Sequence, residues 1–130
     1  MNKIEIRTNT RGHIQTAEIK LDLKQLSLSL FMENGIRKTY TAHDFYVCFG
    51  LLRADIPNTK FLCKGAKLNV YPSRMSSQMS LGLMAYELEL GRPAECYDVV
   101  RIFDYEESDI TNDIQQQRNF YKRWVDSLTG

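Results

Sequence analysis

The chain has 130 residues, of which 43% are hydrophobic and 25% are charged, and its formal net charge is +1. This length and composition are typical of one globular domain and exclude a disordered chain. The absence of an apolar run of about 18 residues excludes a membrane-spanning helix, and the near-neutral charge does not favour a nucleic-acid-binding protein.

The first twelve residues, MNKIEIRTNTRG, have no apolar core and no small-residue cleavage site. The sequence therefore predicts no secretory signal and a cytoplasmic protein. The three cysteines, Cys48, Cys63 and Cys96, form no CxxC motif, and an odd number without a secretory signal argues against a disulfide framework. We expect them to be small buried hydrophobic side chains.

Alternating apolar residues predict strands over residues 3–8 and 14–23. A change of phase between residues 22 and 25 predicts a turn or a bulge before a third strand that contains three alternating leucines. Asn34-Gly35 follows and predicts a hairpin to a strand over residues 36–40, because both residues tolerate positive φ. The N-terminal third is therefore predicted to be an antiparallel meander.

A helix is predicted over residues 42–54, with Phe45 and Phe49 on its apolar stripe. The Thr41 hydroxyl is placed to cap its first turn. Pro57 is expected to end the helix, because proline disfavours helical geometry in the residue before it.

The middle of the chain is predicted to combine short strands with one short helix. Strands are expected over residues 61–63 and 67–71, joined by a turn. Ser73 can cap the short helix, whose methionines, Met75 and Met79, are predicted to lie in the core.

Two further strands, over residues 85–90 and 99–103, precede a final helix for which Ser108 and Asp109 form the predicted first turn. One stripe of this helix carries six apolar or aromatic residues: Ile110, Ile114, Tyr121, Trp124, Val125 and Leu128. The sequence therefore predicts a single α+β domain. Its antiparallel sheet combines the N-terminal meander with central and C-terminal strands, and two main helices and a short helix pack on it.

Few residues carry a recognisable catalytic or metal-binding pattern. His13 and His43 have no HxH or HExxH partner, so the sequence does not indicate a histidine zinc site. Adjacent helical residues such as His43 and Asp44 point apart, which favours a surface histidine over a general base. The serines between residues 73 and 80 lack a G-x-S-x-G motif and are interpreted as capping and turn residues rather than a nucleophile. We predict no catalytic residue, no metal and no cofactor.

Residues 98–113 carry the strongest local charge, with one basic residue, Arg101, against six acidic residues. The centre is the acidic segment, DYEESD, from Asp104 to Asp109. It is interpreted as the start of a helix, as a docking face for a basic protein, or as a divalent-metal site, although the residue order of a calcium loop is missing. The docking hypothesis assigns the contact to Asp104, Tyr105, Glu106, Glu107 and Asp109, with the tyrosine as an aromatic anchor.

Residues 62–91 carry a motif whose members are Leu62-Cys63, Asn69-Val70-Tyr71-Pro72-Ser73, Met75, Met79, Gly82, Ala85-Tyr86-Glu87-Leu88 and Gly91. This motif resembles the immunity proteins of contact-dependent growth inhibition systems, small bacterial proteins that are partners of polymorphic toxins. The resemblance implies a non-enzymatic inhibitor that binds the C-terminal toxin domain of its cognate effector, often a nuclease. Such an inhibitor blocks the active site or the access of substrate, and the family supplies no catalytic residues to transfer.

Two hypotheses of function follow. The first is an immunity protein whose partner is a cognate toxin, rather than a nucleic acid or a membrane. Nuclease toxins are typically basic because their substrates are polyanions, and an acidic surface would attract them. The alternative is a small ligand-binding domain or enzyme with a pocket between the sheet and the segment that carries Met75 and Met79. Tyr71 or Tyr86 would then supply a polar group.

Overall fold

The computed structural model of the chain describes residues 2–129 and contains two antiparallel sheets. The strands are β1 (Asn2–Thr10), β2 (His13–Asp22), β3 (Ser27–Met32), β4 (Arg37–Thr41), β5 (Thr59–Phe61), β6 (Val70–Tyr71), β7 (Met84–Glu87) and β8 (Val99–Arg101). The α-helices are α1 (Phe45–Asp55), α2 (Arg74–Met79) and α3 (Ile114–Thr129), and short 3-10 helices span Lys64–Ala66 and Cys96–Asp98. No helix in the described range is long and apolar enough to cross a lipid bilayer.

The predicted α+β class and the N-terminal meander are confirmed. The larger sheet has the order β4-β3-β2-β1-β5, so its first four strands follow one another as hairpins, and β5 adds to the free edge of β1. The smaller sheet has the order β6-β7-β8. The two strands predicted on either side of residue 65 do not pair with each other, because β5 and β6 belong to different sheets. Residues 64–66, which separate them, form a 3-10 turn.

The core lies between the inner face of the larger sheet and α1. Alternate residues of β2 and β3 are buried there, among them Ile19 and Leu30, and Phe45 and Phe49 of α1 pack against them. The helix begins later than predicted because Thr41 is still paired in β4, opposite Ser27. Asp44 caps it instead, and its Oδ1 accepts a hydrogen bond from the Val47 N–H at 2.8 Å.

The methionines of α2 are exposed, which contradicts their predicted place in the core. Ser73 caps this helix as predicted, since its hydroxyl accepts a hydrogen bond from the Ser76 N–H at 3.0 Å. Yet Met75 is 68% exposed and Met79 is 80% exposed, because the six-residue helix buries no side chain. Cys96 is likewise exposed, whereas the other two cysteines are buried as expected.

The last helix begins at Ile114 rather than near Asp109, so its predicted start is wrong. Asp109 has a φ of 56°, in the left-handed region that cannot continue a right-handed helix. The backbone around it is instead hydrogen-bonded to residues 62–68. These long-range bonds override the local helix-capping signal of Ser108.

A buried arginine fastens α3 to the rest of the molecule. Arg53 is fully buried and donates hydrogen bonds to the Thr111 carbonyl at 2.5 Å and to Gln117 Oε1 at 2.8 Å. The Gln117 amide in turn donates to the carbonyls of Gly65 and Lys67, each at 2.9 Å. Burial lowers the pKa of Arg53 to about 10, so its guanidinium remains charged at neutral pH.

Candidate functional site

The acidic segment is held against residues 62–68 by backbone hydrogen bonds. The Lys64 N–H donates to the Asp104 carbonyl at 2.8 Å, and the Leu68 N–H donates to the Asp109 carbonyl at 2.9 Å. Two isolated antiparallel β-bridges add to these bonds, one between Cys63 and Tyr105 and one between Lys67 and Ile110. The acidic segment is therefore fixed at both ends, although it belongs to neither sheet.

Four of the five predicted contact residues lie side by side on the surface. Asp104, Glu107 and Asp109 are exposed, and the Tyr105 side chain is 55% exposed. The Tyr105 hydroxyl donates to Glu107 Oε2 at 2.8 Å, which orients the ring and one carboxylate relative to each other. These four residues present three carboxylates and an aromatic ring on one stretch of ordered backbone.

The fifth residue, Glu106, faces the other way. Its side chain is only 13% exposed, and Oε1 lies 3.0 Å from Lys64 Nζ and 3.1 Å from Lys67 Nζ. The same lysines bind Glu87 of β7, at 2.8 and 3.2 Å. Glu106 Oε2 accepts a further hydrogen bond from the Ser108 N–H at 2.9 Å. The two lysines and two glutamates form a cluster of balanced charge.

This cluster determines the protonation state of Glu106. Burial would raise the pKa of its carboxyl, but the Ser108 N–H and the two lysine ammonium groups outweigh burial and lower the pKa to about 2. Glu106 is therefore ionised at neutral pH, and its charge is compensated within the molecule. The outward field of the acidic segment comes from the other three carboxylates.

Sequence patterns did not reveal Lys64, Lys67 and Glu87 as partners of Glu106. The two lysines are three residues apart on either side of a turn, which indicates that they share a face. Nothing in the local sequence shows that a glutamate some 40 positions later lies over them, because that pairing depends on the tertiary path of the acidic segment.

A shallow groove lies next to the acidic segment. It has a volume of about 530 Å³ and is lined by Glu5, Ile6, Arg7, Leu62, Phe103 and Tyr105. The exposed tyrosine thus stands at the rim of a concavity that a protruding side chain of a partner could enter.

A second and larger concavity, which we call the cleft, has a volume of about 930 Å³ and lies between the start of α1, β6, α2 and α3. Its lining includes Tyr71, as the small-ligand alternative expects. Tyr86 is not part of that lining within residues 2–129. The structure therefore provides a cleft beside the short helix, while the two methionines of that helix point to solvent.

The cleft also brings together His43, Asp44 and Ser77, which the sequence does not place together. The Ser77 hydroxyl donates to Asp44 Oδ2 at 2.5 Å, and His43 Nε2 lies 4.0 Å from the same oxygen. In a Ser-His-Asp triad the imidazole lies between the hydroxyl and the carboxylate and accepts the serine proton. Here the carboxylate lies between the other two, so the arrangement does not activate Ser77 as a nucleophile.

The third interpretation of the acidic segment, a divalent-metal site, has no support in the structure of residues 2–129. Across residues 2–129, no group of three or more His, Cys, Asp or Glu side chains is arranged to hold a metal ion. The exposed carboxylates of the acidic segment are spread along the chain, and the Glu106 carboxylate is bound to two lysines instead of facing those carboxylates. The interpretation of the segment as the start of a helix is wrong, because α3 begins at Ile114.

No protein-family model matches the chain, and no curated protein sequence matches it.

Proposed function

We propose that this chain is an immunity protein that binds a cognate bacterial toxin domain in the cytoplasm and neutralises it by covering its active or substrate-binding site. The chain itself would catalyse no reaction. The proposal combines the resemblance over residues 62–91 with one structural observation, the ordered acidic segment that presents Asp104, Tyr105, Glu107 and Asp109 together on the surface.

The order of this surface supports a binding role. A loop that becomes ordered only on binding loses conformational entropy, which weakens the complex. The acidic segment is already held by backbone bonds to residues 62–68 and by the Glu106 cluster. Little further ordering would be needed when a partner binds, so the free energy of contact would be retained as affinity.

The chemistry of the surface suggests a basic partner. Three exposed carboxylates would attract a cationic protein and increase its association rate, while Tyr105 offers a large amphipathic contact beside them. A nuclease toxin fits this description, because its substrate-binding surface must be positively charged. An acidic inhibitor could occupy that surface in place of the nucleic acid.

The primary test is binding and growth rescue. The toxin domain encoded next to the gene of this chain would be expressed with and without the full chain, and binding would be measured by calorimetry with the purified proteins. We expect a stable complex and restored growth. If the two proteins neither associate nor restore growth, the proposed function is wrong.

The contact surface is tested separately by charge reversal. D104K/E107K should lower the association rate at least about tenfold and flatten its dependence on salt, because steering by surface charge is screened by ions. The matched control is E33K/D126K, which changes the net charge equally at two exposed positions in the β3–β4 turn and on α3. Equal rates for both variants would remove the acidic segment from the mechanism while leaving the toxin partner in place.

A further inference from the structure

The cleft contains two arginines whose guanidinium groups have no partner in the described part of the chain. Arg74 and Arg118 both line the cleft. Neither forms an ion pair or a side-chain hydrogen bond with residues 2–129, in contrast to Arg53 and Arg92, which each bind two or more groups. Two positive charges with free donors therefore line one concave surface.

Other lining groups add further free donors and an aromatic wall. The rings of Tyr71 and Tyr121 stack with centroids 4.6 Å apart, and neither hydroxyl is hydrogen-bonded within the described residues. Tyr71 also packs edge-on against Tyr46, whose hydroxyl donates a hydrogen bond to the Val70 carbonyl at 2.8 Å. The wall formed by Tyr71 and Tyr121 thus combines apolar ring surface with unused phenol groups.

The described lining of the cleft offers no free carboxylate. Asp44 is the carboxylate in its lining, and its side chain is only 3% exposed. Both of its oxygens are already used, Oδ1 by the Val47 N–H and Oδ2 by the Ser77 hydroxyl. Its negative charge also faces the positive end of α1, which offsets it. The groups that remain available in the cleft are therefore the two guanidinium groups and neutral polar groups, with no free negative charge among them.

We propose that the cleft is a binding site for a small molecule that carries an oxyanion group, either a phosphate or a carboxylate. The planar guanidinium groups of Arg74 and Arg118 would bind the oxygens of that group, since the fork of an arginine matches both phosphate and carboxylate. The apolar part of the ligand would lie against the wall of Tyr71 and Tyr121. This site is independent of the acidic segment and of the proposed toxin partner.

The size of the cleft agrees with such a ligand. A volume of about 930 Å³ is comparable to that of sites for small molecules, which usually combine apolar or aromatic walls with a few polar groups. The cleft is built from α1, β6, α2 and α3, so a ligand would contact elements from both halves of the chain. Its binding would therefore stabilise the position of α3.

Phenyl phosphate and benzoate are suitable probes, because each joins an oxyanion to one aromatic ring, and phenol is the neutral control. Each would be titrated into the ¹⁵N-labelled full chain and followed by the amide signals of the cleft and the arginine Nε–H signals. We expect saturable shifts for at least one anion, with a Kd of about 1 mM or tighter, and none for phenol. The stronger of the two anions identifies the ligand as a phosphate or a carboxylate.

Variants assign the binding to the cleft. R74Q/R118Q should weaken binding at least about tenfold, R118K should have an intermediate effect, and R11Q/R123Q should bind normally as a control of equal charge outside the cleft. The absence of saturable shifts with both anions would overturn the proposal. Equal binding by R74Q/R118Q and the wild type, or equal weakening in R11Q/R123Q, would overturn it as well.

Discussion

Glu106 shows how one side chain can belong to an acidic sequence and yet add little to an acidic surface. Its carboxylate contacts Lys64 and Lys67, and the low exposure of the cluster makes these contacts stronger than ion pairs in open solvent. The same contacts anchor the middle of the acidic segment to the turn beneath it. Glu106 therefore positions its exposed neighbours, while Asp104, Glu107 and Asp109 carry the outward charge.

The pH dependence of stability should reveal this role. The pKa of Glu106 is about 2 in the folded protein, against about 4.3 in an unfolded chain. Its stabilisation is therefore complete above about pH 5 and is lost as the pH falls toward 2, with a maximum of about 3 kcal/mol. E106Q should be less stable at pH 7 by about 1–3 kcal/mol and should lose less of its remaining stability on acidification. Urea denaturation from pH 7 to pH 2 measures both effects.

Glu33 provides the control for this prediction. It is an exposed glutamate in the β3–β4 turn, so E33Q should keep the acid dependence of the wild type. If E106Q and E33Q lost stability in parallel below pH 5, the lysine contacts would not hold the Glu106 carboxylate as described. The sequence could predict that this stretch is acidic, but it could not predict which carboxylate turns inward. That choice depends on lysines that are remote along the chain.

At the scale of elements, α3 depends on polar contacts to an unusual degree. Gln117 is its one fully buried residue in the described range, and it links Arg53 to the carbonyls of Gly65 and Lys67. Val125 and Leu128, which the sequence places on the buried stripe, are each 39% exposed. The helix is thus attached by Gln117 in its first half. In its second half, Trp124 Nε1 donates to the Arg92 carbonyl at 2.9 Å and Ser127 Oγ accepts from the Gly91 N–H at 2.8 Å.

Q117L should detach this helix in part. The substitution introduces an apolar side chain of similar size. It leaves Arg53 Nη2 and the Gly65 carbonyl without a partner, which should cost about 3 kcal/mol of unfolding free energy. Hydrogen exchange should accelerate in α3 more than in β2 and β3. Q115L is the matched control, because Gln115 is exposed on the same helix and bonds only to Asn119, at 3.0 Å. Equal protection of α3 in both variants would contradict the anchoring role.

The exposed methionines of α2 lead to a third prediction. M75Q/M79Q should change the unfolding free energy by less than about 0.5 kcal/mol, because surface substitutions away from packed contacts have small effects. M32Q is the contrasting variant, since Met32 is buried in the core and would place an amide among apolar side chains. Thermal unfolding of the two variants compares them directly, and a large loss of stability in M75Q/M79Q would show that α2 packs more closely than its exposure indicates.

Local patterns predicted where most elements lie and failed where distant segments compete. The Asn34-Gly35 hairpin, the alternating strands and the Ser73 cap each depend on neighbours in sequence, and all three form. Thr41 and Ser108 were equally good caps by local criteria. Thr41 pairs instead with a preceding strand, and the chain beyond Ser108 is hydrogen-bonded to the turn near residue 65. The sequence likewise could not predict that Arg74 and Arg118 line one cleft, because they are 44 positions apart.

For the whole molecule, the turn at Lys64–Ala66 is the junction between the two sheets. Gly65 donates its N–H to the Ile102 carbonyl at 2.8 Å, and its own carbonyl accepts from Gln117 at 2.9 Å. A Cβ at this position would lie 2.7 Å from Ile102 Cβ and 3.2 Å from Phe49 Cδ2. Only glycine therefore fits at position 65. Three parts of the chain meet there: α1, α3 and the residues that lead from β8 into the acidic segment.

G65A tests whether the molecule unfolds as one unit. The added methyl group cannot be accommodated without moving Ile102 or α1, and overpacking of this kind costs about 1–3 kcal/mol. Because the turn contacts elements of both halves, we expect a single urea transition with a lower midpoint, an unchanged m value and a loss of hydrogen-exchange protection in both sheets.

G12A is the reference, since a Cβ there meets no atom within 4 Å and only the positive φ of 91° opposes it. Its effect should be confined to the β1–β2 hairpin. If G65A lowered protection only in β6, β7 and β8, the smaller sheet would open independently. The acidic segment and the cleft would then belong to a separately mobile part of the protein.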